Sequence, residues 1–117
     1  MNINPIIEET LKDFEVDGVK IPVHFLRFTG ESETYLTYYT WYEKPDNFAD
    51  DEYKNEIVYL TIDIFSKKNF KGIVRKLKNI MKQKGFIWED SAPEQYESDT
   101  GYYHIPVNFY YIGKVDE

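Results

Sequence analysis

The chain of 117 residues contains no cysteine, which removes disulfides, thiolate chemistry and cysteine-based zinc sites together. Its six glycines are scattered and form neither G-x-x-x-x-G-K-[ST] nor G-x-G-x-x-G, so no phosphate-cradling loop is present. Histidine is nearly missing too. His24 and His104 are the only imidazoles, with no G-x-S-x-G serine for either to activate, a weak foundation for nucleophilic catalysis. No stretch approaches the roughly 18 apolar residues of a membrane span, and the opening "MNINPIIEETLKDF" lacks a basic region followed by a long apolar run. Neither secretion nor membrane insertion is expected.

Rings and charge are what the chain does have. Aromatic residues make up 18% of it, with eleven Tyr and eight Phe. Such side chains bury large areas while the Tyr hydroxyl tolerates water, which fits either a sheet with one wet face or a subunit interface. Net charge is −7, unevenly spread. Eight basic residues and no acidic one lie between Ser66 and Trp88, whereas the rest of the chain carries six basic residues against 21 acidic ones. A basic helix on an acidic protein is open to three readings: a solvated face, docking to itself or a partner, or nucleic-acid contact. Candidate interface cations are Lys71, Arg75, Lys78 and Lys82.

Periodicity places the elements. Ile3, Ile7, Leu11 and Phe14 recur at helical spacing behind Asn4 as N-cap and Pro5 at the first position, with Glu8 and Lys12 as an i,i+4 pair. Asp17-Gly18 turns the chain. Strands are expected over Ile21–Phe28 and Thr34–Glu43, then a loop over Lys44–Asn55 made acidic by Asp46, Asp50, Asp51 and Glu52. That loop lacks the ligand spacing of an EF-hand, which leaves a solvated or partner-facing role. "EIVYLTIDIF" (Glu56 to Phe65) alternates Val58, Leu60, Ile62 and Ile64 toward a core with Ile57, Tyr59, Thr61, Asp63 and Phe65 on the other face. A second helix is expected over Phe70–Lys84, with Gly85 as its stop. A strand interrupted by Pro93 and a last strand near Gly101–Gly113 complete the chain, and Pro106 predicts an edge or a bulge. Ser98, Asp99, Thr100 and Gly101 have turn chemistry, which places His104 two residues into the strand that follows. The fold class is α+β: one domain with a mixed, mostly antiparallel sheet of about five strands and two helices on one face. No catalytic, cofactor or metal residue is assigned.

The order of blocks carries a resemblance. "YLTYYTWYE", an acidic loop ending in "DDE", "VYLTIDIFSKKNF", a basic helix ending "MKQKGF", and "YESDTGYYHIPVNFYY" together resemble the small tail-terminator or tail-completion proteins of tailed phages and prophages of Gram-positive bacteria. The likeness runs from about Pro22 to Tyr111, and Ile105-Pro106 depart from the family pattern. It implies a structural, non-catalytic protein that closes into a ring, a hexamer by the family's habit. The ring sits on the head-proximal end of the tail tube, stops its growth and joins the head connector or completion protein. DNA passes through without specific binding. The implied location is the host cytoplasm during assembly and then the virion neck. Asp50, Asp51 and Glu52 would face the lumen or the tube. Another neck component, or a small protein-binding module without catalysis, is the alternative.

Overall fold

The computed structural model describes residues 1–46 and 55–114. In chain order the elements are α1 (Asn4–Leu11), β1 (Glu15–Val16), β2 (Val19–Lys20), β3 (Val23–Phe25), β4 (Thr34–Pro45), β5 (Asn55–Ser66), α2 (Lys71–Gln83), β6 (Ile87–Ser91), β7 (Gln95–Glu97) and β8 (Tyr102–Lys114). The strict alternation of β5 organises everything else. It pairs antiparallel with β4 on one side and β8 on the other, and residues opposite one another share a face. Leu36–Ile64–Ile105, Tyr38–Ile62–Val107 and Thr40–Leu60–Phe109 are the rungs of one face, and both helices bury their apolar stripes there. Ile3, Ile7, Leu11, Ile73, Leu77 and Met81 join Leu60, Ile62, Val107 and Phe109 in a single core.

The α+β class and the mostly antiparallel sheet are as expected, but the sheet is larger. Six strands run β3-β4-β5-β8-β6, with β7 also on β8, and β1 and β2 form a separate hairpin. Asp17 and Gly18 both adopt positive φ, 53° and 78°, as a type I′ turn requires, so this turn builds a hairpin as well as ending a helix. The strand expected over Ile21–Phe28 contracts to three residues, and it lies parallel to β4.

Helix ends show why caps are hard to place from sequence. Ile3, not Asn4, is the N-cap of α1 and makes no side-chain bond. The Asn4 N–H instead donates to Asn2 Oδ1 at 3.0 Å, while Asn4 Oδ1 is buried without a partner. Lys12 pairs with Glu9 at 3.0 Å rather than with Glu8, whose carboxylate accepts the Tyr38 hydroxyl at 2.6 Å. Burial, then the Glu8 bond, pushes that hydroxyl's pKa far up. The end of α2 follows the expectation closely. Gly85 at φ 91° sends its N–H to Lys82 O, and the Phe86 N–H reaches Met81 O at 3.0 Å, the paired bonds of a Schellman motif.

Pro106 is neither on an edge nor in a bulge of its own strand. β8 is an inner strand, with Pro106 opposite Asp63 of β5. Its carbonyl accepts the Ala92 N–H at 2.9 Å, so its nitrogen also points to the β6–β7 side. There the ladder breaks between Ser91, opposite Val107, and Gln95, opposite His104. The missing N–H faces this interruption between β6 and β7.

Ser98–Gly101 close the β7–β8 hairpin, with Glu97 opposite Tyr102. Gly101 has φ 80°, and open space lies where a Cβ would go. Gly101→Val therefore costs backbone strain alone, roughly 1–2 kcal/mol, and Gly101→Asn much less. Urea unfolding of the three proteins checks this; equal midpoints would remove the turn from the fold's determinants.

At the far end of the sheet the Met1 α-amino group lies 3.3 Å from Glu56, which is buried, and 3.4 Å from Glu43. The hydrogen bond to Glu56 raises the amine's pKa above its ordinary value near 8. Its folded value being the higher, the pair stabilises fully below about pH 8 and is lost as pH rises through the folded pKa. Stability should thus fall between pH 7 and 9.5 more in the native protein than in Glu56→Gln, as read from urea midpoints. Parallel losses would contradict the pairing.

Candidate functional site

Both helices lie on one side of the sheet, which leaves the opposite face of β4, β5 and β8 uncovered by any described element. Its rungs are Tyr35–Phe65–His104, Thr37–Asp63–Pro106, Tyr39–Thr61–Asn108 and Tyr42–Tyr59–Tyr110. At one end a ladder of rings crosses the strands. Phe28 stacks on Tyr35 at 4.7 Å, Tyr35 on Phe65 at 4.7 Å, and Phe65 on His104 at 4.3 Å. Partial burial in this stack, then Tyr102 and Glu97 nearby, raises the Tyr35 pKa. His104 Nε2 lies 2.9 Å from Asp63 Oδ1, and both side chains are largely shielded.

A polar network fills the middle. Trp41 Nε1 donates to Thr61 Oγ1 at 3.1 Å, Thr61 donates to Asn108 Oδ1 at 2.6 Å, and Asn108 Nδ2 donates to Asp90 Oδ1 at 2.6 Å. Beyond it Trp41, Tyr42, Tyr59 and Tyr110 form a second group of rings, with the Lys44 ammonium over Tyr59. Trp41 and Tyr42 are 50% and 55% exposed. The face is aromatic, hydrogen-bonded and edged with carboxylates, so it suits a protein partner better than a phosphate backbone.

No protein-family model matches the chain, and no curated protein does.

The basic stripe lies on the other side of the molecule. Lys71, Arg75 and Lys82 are exposed on α2, and among the described residues none of them forms an ion pair. Lys78 is partly covered, its ammonium 3.7 Å from the centre of the Trp88 ring. Sequence reading did not place Trp88 beside this stripe; the link exists because β6 folds back along α2. Asp50, Asp51 and Glu52 lie outside the described residues. Asp99, Thr100 and Gly101 are in the β7–β8 turn as expected, although Thr100, not Asp99, makes the bonds: its hydroxyl donates to Glu97 Oε1 at 3.0 Å.

His104 and His24 stand in different surroundings. His24 packs against Phe28 at 4.9 Å, and His104 is committed to Asp63. Among the described residues no hydroxyl is hydrogen-bonded to either ring. The Asp63–His104 pair was invisible in the sequence because it depends on the register of two strands 41 residues apart. Alternation showed Asp63 and His104 each on the outer face of its strand; only pairing brings them together. No helix among the described residues is long and apolar enough to cross a membrane.

Proposed function

We propose that the protein is a non-catalytic assembly subunit that closes into a ring, six copies by family resemblance, and caps the head-proximal end of a phage tail tube. The observation that carries this reading is the uncovered aromatic face of the sheet. A small domain that leaves Tyr35, Trp41, Tyr42, Tyr59, Phe65 and Tyr110 on one face has a surface suited to protein contact, since Tyr and Trp supply large area at little entropic cost. The basic stripe on the opposite side is a second, different patch, suited to an acidic neighbour. The order of sequence blocks from "YLTYYTWYE" to "YHIPVNFYY" points to the same class. In this reading the open sheet face seats on the tube end and the opposite side meets the head connector. The acidic excess keeps the passage free of adhesive contacts to DNA, because each basic contact to phosphate would add affinity. Assembly takes place in the host cytoplasm and ends in the virion.

Adding the purified protein to growing tail tubes tests the reading. Electron microscopy should show rings on one tube end and arrested growth. Tubes that lengthen unchanged, with the protein free in solution, would overturn it.

A further inference from the structure

The charge pattern of α2 works against the helix that carries it. Lys71, Arg75, Lys78 and Lys82 follow one another at i, i+4, i+7 and i+11, so they form a single line about 16 Å long on one side of the cylinder. Cations three or four residues apart repel and destabilise a helix, and every successive pair in this line has that spacing. Lys71 adds a second cost. It opens the helix, where the dipole favours an anion, and the first turn holds no acidic residue.

No carboxylate among the described residues pairs with any of the four. Lys68, just before the helix, has Glu33, and Asp90 on the flanking strand accepts the Asn108 side chain instead. Lys71, Arg75 and Lys82 are exposed, and Lys78 lies over the Trp88 ring. A local rule broken twice in one element, with no compensation inside the fold, marks a site kept for contact.

The rises between successive cations, about 6, 4.5 and 6 Å, read the same from either end. A second helix with carboxylates at this spacing keeps step with all four in either direction. Same-face residues of a strand, about 6.7 Å apart, are out of step by the fourth. An apolar anchor point adjoins the start of the line, a groove of about 420 Å³ lined by Phe70, Val74, Pro93 and Ile105 together with Lys71 and Glu94. DNA fits less well: its phosphates would meet Glu89, Asp90 and Glu94 on a chain of net charge −7, and it offers nothing to an apolar groove. A second copy does not supply the helix either. The other helix, α1, has eight residues, too few for the spacing, and its Glu8 and Glu9 are bound to Tyr38 and Lys12.

We infer that this side of α2 docks an acidic helix of another protein, with carboxylates on Lys71, Arg75, Lys78 and Lys82 and an apolar side chain in the groove beside Val74. Charges so placed select the partner and speed its arrival. This deepens the reading above, on which the assignment of that neighbour to the head side rests.

A labelled helix-forming peptide with Glu at i, i+4, i+7 and i+11 and a leucine beside the first is the probe, titrated by fluorescence anisotropy at low salt. It should bind at least tenfold more tightly than a peptide of the same composition with its Glu residues spread around the helix, and more tightly than a short DNA duplex. Lys71→Glu and Arg75→Glu, made separately, should each weaken binding at least tenfold. Their thermal midpoints should hold or rise, because each turns repulsion into attraction. Equal binding of the two peptides, or tighter binding of DNA, would overturn the docking. So would midpoints lowered in both variants, which would make the cations structural, or sedimentation showing that the same cations join copies of this chain. If the native protein ignores the peptide yet caps tubes, the docking alone falls; if it binds the peptide and caps no tube, the tube-capping reading alone falls.

Discussion

Phe109→Ala is expected to destabilise the protein by about 3–5 kcal/mol, the range for emptying a fully packed aromatic site. Phe109 is completely buried and is among the largest side chains that are. It stands in the rung Thr40–Leu60–Phe109 on the helix-covered face, with Trp88 of β6 opposite. Backbone pairing on both sides fixes its Cα, so collapse into the void is limited and the cavity cost stays high. For a domain of this size the thermal midpoint should drop by roughly 10–20 °C. Its neighbour Tyr110 faces the uncovered side, and Tyr110→Ala should cost only about 1 kcal/mol. Circular-dichroism melts of the two variants decide the matter. Equal losses would show that the helices do not divide the sheet into one covered and one open face.

On the proposal that the open face seats on a tube end, Trp41→Ala should have the opposite profile, with a small effect on stability and a large one on capping. The indole is half-exposed and packs on Tyr42 and Tyr59 at the rim of the open face. Its removal loses one hydrogen bond to Thr61, about 1 kcal/mol, and Thr61 keeps its bond to Asn108. A Trp anchor in a protein contact commonly carries about 2 kcal/mol, which corresponds to a loss of roughly 30-fold in affinity for tube ends. Counting capped ends against protein concentration gives the value. Full capping with a lowered melting point would make Trp41 structural and would move the contact surface away from this face.

The contrast between these two residues shows what the sequence could convey. Alternation alone separated Leu60 and Ile62 from Tyr59 and Thr61, since a period of two has only two outcomes. The apolar stripe and Gly85 likewise marked α2 nearly to its ends. What failed depended on distant partners. Ile21–Phe28 has the composition of a full strand, yet β3 ends at Phe25, just before Leu26 turns the chain at φ 64°, and it pairs parallel to β4. Pro106 reads as an edge residue because a lone proline cannot show that its neighbour's ladder is already interrupted. Asn4 is a good capping type, but Ile3 holds the cap position and the Asn2 side chain accepts the Asn4 N–H. The open face itself was half legible: each strand displayed its rings, but their stacking into one ladder and the Asp63–His104 pair follow from cross-strand register, which no single segment contains.

The position of β8 between β5 and β6–β7 has a consequence for synthesis. Translation delivers β6 and β7 before the strand that both must pair with, so on the ribosome they have nothing to bond to. The β4–β5 hairpin forms early from local contacts, yet its free β5 edge and the α2 stripe stay open until Ile105, Val107 and Phe109 emerge. Sheet closure is then a single late event. Chaperones would meet a chain that is sticky until β8 leaves the exit tunnel, and both faces of the sheet exist only in finished molecules.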